Sequence, residues 1–177
     1  VPFSSFLWHA LVFLMMLPTI ANLTPLFILL RNLNLLNTLW ALIFVGSATG
    51  QAVSIFVARR FIEEIPQGLF EAAEVDGASH FWQFRYVVLP LSGPIMGTIG
   101  VMHFIREWND FILPLVVLRD PEKWTMTVGL MRLDGEYVKL WGIIMSGYAL
   151  SSIPIIIIFL LTMRLFIKGL TAGAVKG

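Results

Sequence analysis

Four membrane-spanning helices in an all-α fold is the architecture this sequence predicts, and three observations predict it. Of the 177 residues, 58% are hydrophobic and only 13% are charged, with a mean hydropathy of +0.84. A water-soluble domain of that length needs far more charge on its surface. The stretches 1–30, 32–58, 86–105 and 141–163 contain no Asp, Glu, Lys or Arg. Each reaches the ~20 apolar residues that cross a bilayer's hydrocarbon at about 1.5 Å per helical residue. The chain opens on Val1 inside such a run, with no charged segment and cleavage site ahead of it. It therefore reads as the later part of something longer rather than as a chain with a signal peptide.

The first span is expected from about Phe6 to Leu30, interrupted by Pro18 and Pro25 and kinked or ended near Pro25. A short polar link over 31–38 leads to a second span from about Leu39 to Val57. Its Gly46, Ser47, Thr49, Gly50, Gln51 and Ser54 suit close helix packing, with the lining of a pathway as the alternative. Residues 59–90 are polar and too long for a tight turn. Pro66 suits the first turn of a short helix, Gln67 to Asp76, and Gly77 suits its stop. A second helical stretch from Ala78 carries Phe81, Trp82, Phe84 and Tyr86, and Leu89-Pro90 starts the next span.

The third span is expected from about Leu91 to Leu113. Gly93, Gly97 and Gly100 fall on one helix face and suit packing against another helix. Further along, His103, Arg106, Glu107 and Asp110 also share a face, with Asn109 beside them. Arg106 with Asp110, and His103 with Glu107, are spaced to pair one turn apart. Ionisable groups within a span are functional candidates by default. This face reads either as a self-paired cluster near the outer rim or as the lining of a translocation pathway. A second polar loop, Arg119 to Lys139, precedes the last span, Trp141 to Met163, and a tail carrying Arg164, Lys168 and Lys176. Trp8, Trp40, Trp108, Trp124 and Trp141 lie near span ends, where indole rings anchor at the membrane interface.

Other functions are excluded by what is missing. A net charge of +1 gives no basic patch for nucleic acid, and the lack of cysteine removes thiolate metal sites and disulfides. His9 and His80 stand alone, so no metal role is assigned. The sequence holds no Gly-x-x-x-x-Gly-Lys-[Ser/Thr], His-Glu-x-x-His or Gly-x-Ser-x-Gly pattern, so no catalytic residue and no cofactor of its own is expected. Charge does not orient the chain: six Lys or Arg flank one side of the four spans and five the other.

Within the 59–90 loop, Glu71-Ala72-Ala73 is followed after three residues by Gly77, after nine more by Val87, and after one more by Leu89-Pro90. This resembles the EAA loop of binding-protein-dependent ABC permeases, with Val87 in place of the usual Ile. The string Glu71-Ala72-Ala73-Glu74-Val75-Asp76-Gly77-Ala78 is similar to the carbohydrate-importer branch. So are Leu35-Leu36-Asn37-Thr38, Trp108-Asn109 and the ending Gly169-Leu170-Thr171-Ala172-Gly173-Ala174-Val175-Lys176-Gly177. The resemblance covers essentially the whole chain and implies a single permease domain over 1–177 that lacks about two N-terminal helices of the usual six.

It further implies a multi-pass protein of the bacterial cytoplasmic (inner) membrane, with 59–90 as a cytoplasmic coupling loop. Glu71, Ala72, Ala73, Asp76, Gly77, Ala78, Leu89 and Pro90 would dock on an ATPase. The implied partners are a second homologous permease, two ABC ATPase subunits that bind the ATP, an extracytoplasmic solute-binding protein, a sugar substrate and the lipid bilayer. Chemically, small alanines let a helix approach another backbone closely, and Glu71 suits a charge-assisted bond to a basic partner. The rival reading is an ion-coupled transporter or channel that uses the His103–Asp110 face as a relay. A third is an inactive fragment.

Overall fold

The computed structural model describes residues 4–133 and 141–174, with the side chains of residues 5–18, 20–133 and 141–163. Lys139 and the terminal Val175-Lys176-Gly177 lie outside the described residues, and so do the side chains of Arg164 and Lys168. Among the described residues every regular element is helical. Two helices, Leu39–Glu63 and Trp141–Met163, are long and apolar enough to cross a membrane, and up to four spans result if each of two bent pairs counts as one.

The first bent pair consists of α1 (Ser4–Met16) and α2 (Leu23–Asn32), joined by a 3₁₀ turn over Thr19–Asn22. The bend of 87° falls at Pro18, not at Pro25 as the sequence suggested. Pro18 sits outside the helix in extended conformation (φ −68°, ψ 119°). Pro25 lies in the first turn of α2, where an amide has no intrahelical acceptor to lose, so it breaks nothing. The helix runs through to Asn32, past the expected end at Leu30.

Helices α3 (Leu39–Ala48) and α4 (Gln51–Glu63) make up the second candidate span, interrupted at Thr49-Gly50. They reach six residues beyond the expected end at Val57. The polar loop then holds α5 (Gln67–Val75), α6 (His80–Gln83), a π-helical turn (Phe84–Val88) and α7 (Leu89–Leu91). The third span is also a bent pair. The stretch His80–Leu91 meets α8 (Gly93–Trp108) at 65°, with the joint at Ser92. Proline explains both irregularities. Pro90 has no amide to continue the ladder, and the preceding Leu89 amide reaches back five residues to the Phe84 carbonyl. Pro94, in the first turn of α8, offers no amide to the Pro90 carbonyl four residues earlier. So Leu89-Pro90 precedes a bend, and the straight helix starts beyond it at Gly93.

The chain divides into two compact units, Val1–Ala52 with Ile105–Ile155 and Val53–Phe104 with Ile156–Gly177. In the first, Leu30, Ala41, Val45, Leu113, Val117 and Leu118 form a buried cluster from α2, α3 and α9 (Ile112–Val117). Asn37 ties this core together. Its amide donates to the Val117 carbonyl at 2.9 Å, and its Oδ1 accepts from the amides of Arg119 and Asp120, both at 3.0 Å. Thr38 then caps α3 by accepting from the Ala41 amide.

The second polar loop holds a helix that no periodic pattern in the sequence announces. This helix, α10 (Met126–Leu133), buries Val128 and Leu130. The Leu130 side chain lies against Gly147 of α11 (Trp141–Ala174), where any β-carbon would collide with it. Pro154 sits within α11, and nearby the Ser151 carbonyl accepts a bond from Trp108 Nε1 at 3.1 Å. Neighbouring side chains satisfy backbone near prolines in this way in membrane helices. Trp108 therefore joins two helices. Trp124 is half-buried on the core beneath the Arg132 guanidinium.

Candidate functional sites

The exposed loop lies entirely in the second unit. Helix α5 carries Glu71, Ala72 and Ala73 and ends at Val75, one residue short of the expected Asp76, by a specific pattern. The Ala78 amide donates to the Ala73 carbonyl and the Gly77 amide to the Glu74 carbonyl, both at 2.9 Å, with Gly77 at φ +77°. This paired cap needs a left-handed residue at Gly77, which glycine adopts without a Cβ penalty. Pro66 stands just ahead of the first turn as N-cap, not within it. Immediately after Gly77, the Ser79 hydroxyl caps α6 by accepting from the Trp82 amide at 3.4 Å. Gln83, buried beneath the joint, donates its amide to the Ala78 carbonyl at 3.5 Å. Residues 77–79 are thus a rigid corner between two helices.

Glu71, Ala72, Glu74, Val75 and Asp76 face outward, and Ala73 and Ala78 are half-buried. Val75 is 88% exposed. None of Glu64, Glu71, Glu74 and Asp76 has an ion-pair partner among the described residues, whereas Glu63 pairs with Arg59 at 2.7 Å. The corner therefore presents a small-residue, acidic ridge with unused acceptors. Leu89 and Pro90 lie apart from it, beyond the π-helical turn.

The second candidate lies in the first unit. Arg106, Glu107 and Asp110 line a cleft of about 350 Å³ with Thr49, Val45, Ile20, Leu23, Leu26, Ile112 and Leu113. The expected partners are not the ones found. Helix α8 ends at Trp108, so Asp110 lies past the helix instead of one turn further along it. Asn109 ends the helix locally: its Nδ2 donates to the Ile105 carbonyl at 2.8 Å, and it is turned out of the cleft. Arg106 pairs with Glu107, Nη2 to Oε1 at 2.6 Å, not with Asp110. His103 is half-buried and does not line the cleft.

What Arg106 holds is the break in the second candidate span. Thr49 is extended (ψ 145°), so its carbonyl leaves the helical ladder. Arg106 Nη2 donates to that carbonyl at 2.8 Å and to Thr49 Oγ1 at 2.7 Å. Thr49 Oγ1 in turn donates to the Val45 carbonyl at 3.0 Å. Gly50, at φ +77°, gives the guanidinium its room, since a β-carbon there would overlap it. Gly46 does the same for the Glu107 carboxylate. In the sequence, Gly46, Thr49 and Gly50 read only as small residues for packing or lining. The signal that marks their role is the pairing of a Thr-Gly break with an arginine on another span, and a local pattern does not show it. By contrast, a β-carbon added at Gly93 or Gly100 would meet nothing within 4 Å, so the expected packing face is open within this chain.

The chain is 34% identical over 173 residues to the arabinooligosaccharides transport system permease protein of Halalkalibacterium halodurans, covering 98% of this chain and 61% of that one. It is 35% identical over 175 residues to a probable ABC transporter permease protein of Pyrococcus horikoshii, covering 99% and 63%. A maltodextrin transport system permease protein of Streptococcus pneumoniae is 34% identical over 164 residues, with 92% and 58% covered. The chain thus spans about three fifths of the length of these relatives. A solved bacterial ABC transporter, involved in the import of the acidic polysaccharide alginate, matches with a TM-score of 0.75 and 25% identity, over 94% of this chain and 63% of that one. The binding-protein-dependent transport system inner membrane component family matches over residues 5–172, and the chain belongs to that family.

Proposed function

We propose that this chain is a membrane-spanning permease subunit of an ATP-driven importer for a sugar or sugar derivative, in which 59–90 is the cytoplasmic loop that docks on an ATPase. The observation that carries this reading is the corner at Gly77. It fixes the spacing of Glu71-Ala72-Ala73 to glycine and leaves that ridge exposed and acidic. A basic cleft on a soluble partner complements it through charge-assisted bonds. Relatives named for arabinooligosaccharides, galactooligosaccharides and maltodextrin support the substrate class.

On this reading the subunit is not an enzyme and binds no cofactor. ATP is held by two ATPase subunits, and a second homologous permease and an extracytoplasmic solute-binding protein complete the assembly. The four candidate spans make one permease domain in the bacterial cytoplasmic membrane. Arg106, Glu107 and Asp110, with His103 and Asn109 nearby, line part of the pathway. The ion-relay alternative is not favoured, because Arg106 is engaged by Thr49 and Glu107 and Asp110 lies off the helix.

The test is co-purification from membranes of the complete transporter. An ATPase is expected to accompany the chain and to be released by Glu71→Lys or Gly77→Asp, with membrane insertion unchanged. Equal capture by the native chain and both variants would break the docking assignment.

A further inference from the structure

Beyond Arg59 and Arg60, the 59–90 loop has two parts of different chemistry. From 63 to 76 it holds Glu63, Glu64, Glu71, Glu74 and Asp76 and no Lys or Arg. From 78 to 92 it holds no Asp or Glu, one Arg and four aromatic residues. Those aromatics point outward: Phe81 is 73% exposed, and Trp82, Phe84 and Tyr86 are all more than half exposed. Trp82 and Tyr86 stack at 4.4 Å with their planes 13° apart, and Arg85 lies over the Tyr86 ring at 5.6 Å. The opposite side of the stretch is turned inward through buried Gln83.

We infer that the stretch His80–Leu91 lies in the membrane interface, with Phe81, Trp82, Phe84 and Tyr86 among the lipid headgroups and upper acyl chains and Arg85 on an anionic headgroup. Three features select lipid over a protein partner. The stretch runs straight into α8, the core of a candidate span, and meets it at 65°. A helix tilted that far from a spanning segment lies closer to the bilayer plane than to its normal. The side chains are those of an interfacial helix: amphipathic rings whose indole N–H and phenol O–H need a polar level, and a guanidinium attracted to anionic lipid. Finally, the charge division gives the two halves different destinations. A negative membrane surface attracts the basic aromatic half, about 1 kcal/mol per cation near it, and repels the acidic one.

The corner at Gly77 therefore separates a helix seated on lipid from a helix projecting into water. This rests on the membrane location of the chain and is independent of which partner binds Glu71.

The chain has no cysteine, so single labels are easily introduced. The complete transporter carrying Trp82→Cys, Tyr86→Cys or, as an independent site, Phe81→Cys is labelled with a small fluorophore. It is then reconstituted in vesicles of phosphatidylethanolamine and phosphatidylglycerol. Labels at these positions are expected to lose most of their emission to a lipid bearing a nitroxide near its headgroup, and little to aqueous iodide. Labels at Glu71→Cys and Val75→Cys are expected to lose little emission to the lipid nitroxide. Iodide quenching at 81, 82 and 86, or protection from both quenchers as a covering protein would give, overturns the inference. ATPase co-purification is scored on the same samples. Its absence from the Phe81→Cys, Trp82→Cys and Tyr86→Cys samples, with lipid quenching intact, counts against the docking reading alone.

Discussion

Helices α3 and α5 each end near a glycine at φ +77°, and the two glycines are there for different reasons. Gly77 serves its own backbone: it closes a cap whose donors and acceptors lie within six residues, and nothing lies within 4 Å of where a β-carbon would stand. Gly50 serves a residue far along the chain. Its missing side chain is the space occupied by the Arg106 guanidinium, which bonds the carbonyl that the break at Thr49 frees. The same dihedral angle thus records a local requirement in one place and a tertiary one in the other.

That difference is open to measurement by unfolding in detergent. Gly50→Ala carries both penalties, left-handed backbone and displaced guanidinium, and is expected to cost roughly 2–4 kcal/mol. Arg106→Ala leaves the Thr49 carbonyl and Glu107 without their donor, at a cost of about 1–3 kcal/mol, held down by the partial exposure of the pair. In the Arg106→Ala background, Gly50→Ala should cost only the backbone share, about 1–2 kcal/mol. An additive double-mutant cycle would show that Gly50 is there for conformation alone. Gly77→Ala should cost about 1 kcal/mol with no dependence on Arg106, and Gly77→Asn only a few tenths. The smallest effect belongs to Asn34→Gly. Asn34, at φ 55°, ends α2 by the same pair of bonds that Gly77 makes, Leu35 amide to Leu30 carbonyl and Asn34 amide to Arg31 carbonyl. Glycine should serve there within a few tenths of a kcal/mol, and a larger loss would mean that the Asn34 side chain does more than permit the turn.

The comparison also explains what could be read from the sequence. The last span was legible because a long charge-free run leaves no competing structure, and α11 contains that run. Helix α5 and its stop were legible because glycine chemistry acts over a few positions. Pro18 and Pro25 look alike in sequence, and only the start of α2 decides that one lies outside a helix and the other in a harmless first turn. The pairing expected of Arg106 with Asp110 assumed a continuous helix through Asp110, and that assumption failed at Asn109, whereas Glu107 stays within α8 and is paired there with Arg106. Asn37 and α10 went unread for a related reason. Their partners, Val117 to Asp120 for one and Gly147 for the other, are distant in sequence and come together only through packing.

The contacts at Gly46 and Gly50 also have a consequence for descent. While Glu107 and Arg106 keep these positions, a side chain at 46 or 50 meets an occupied space, so a change there requires the facing carboxylate or guanidinium to move. Shortening or moving the charged residue frees the space facing position 46, whereas position 50 keeps its left-handed backbone cost as well. Changes at 46 and 107, and at 50 and 106, should therefore be coupled in descendants of this chain, whereas Gly77 is bound to no distant position and is held by its left-handed backbone alone.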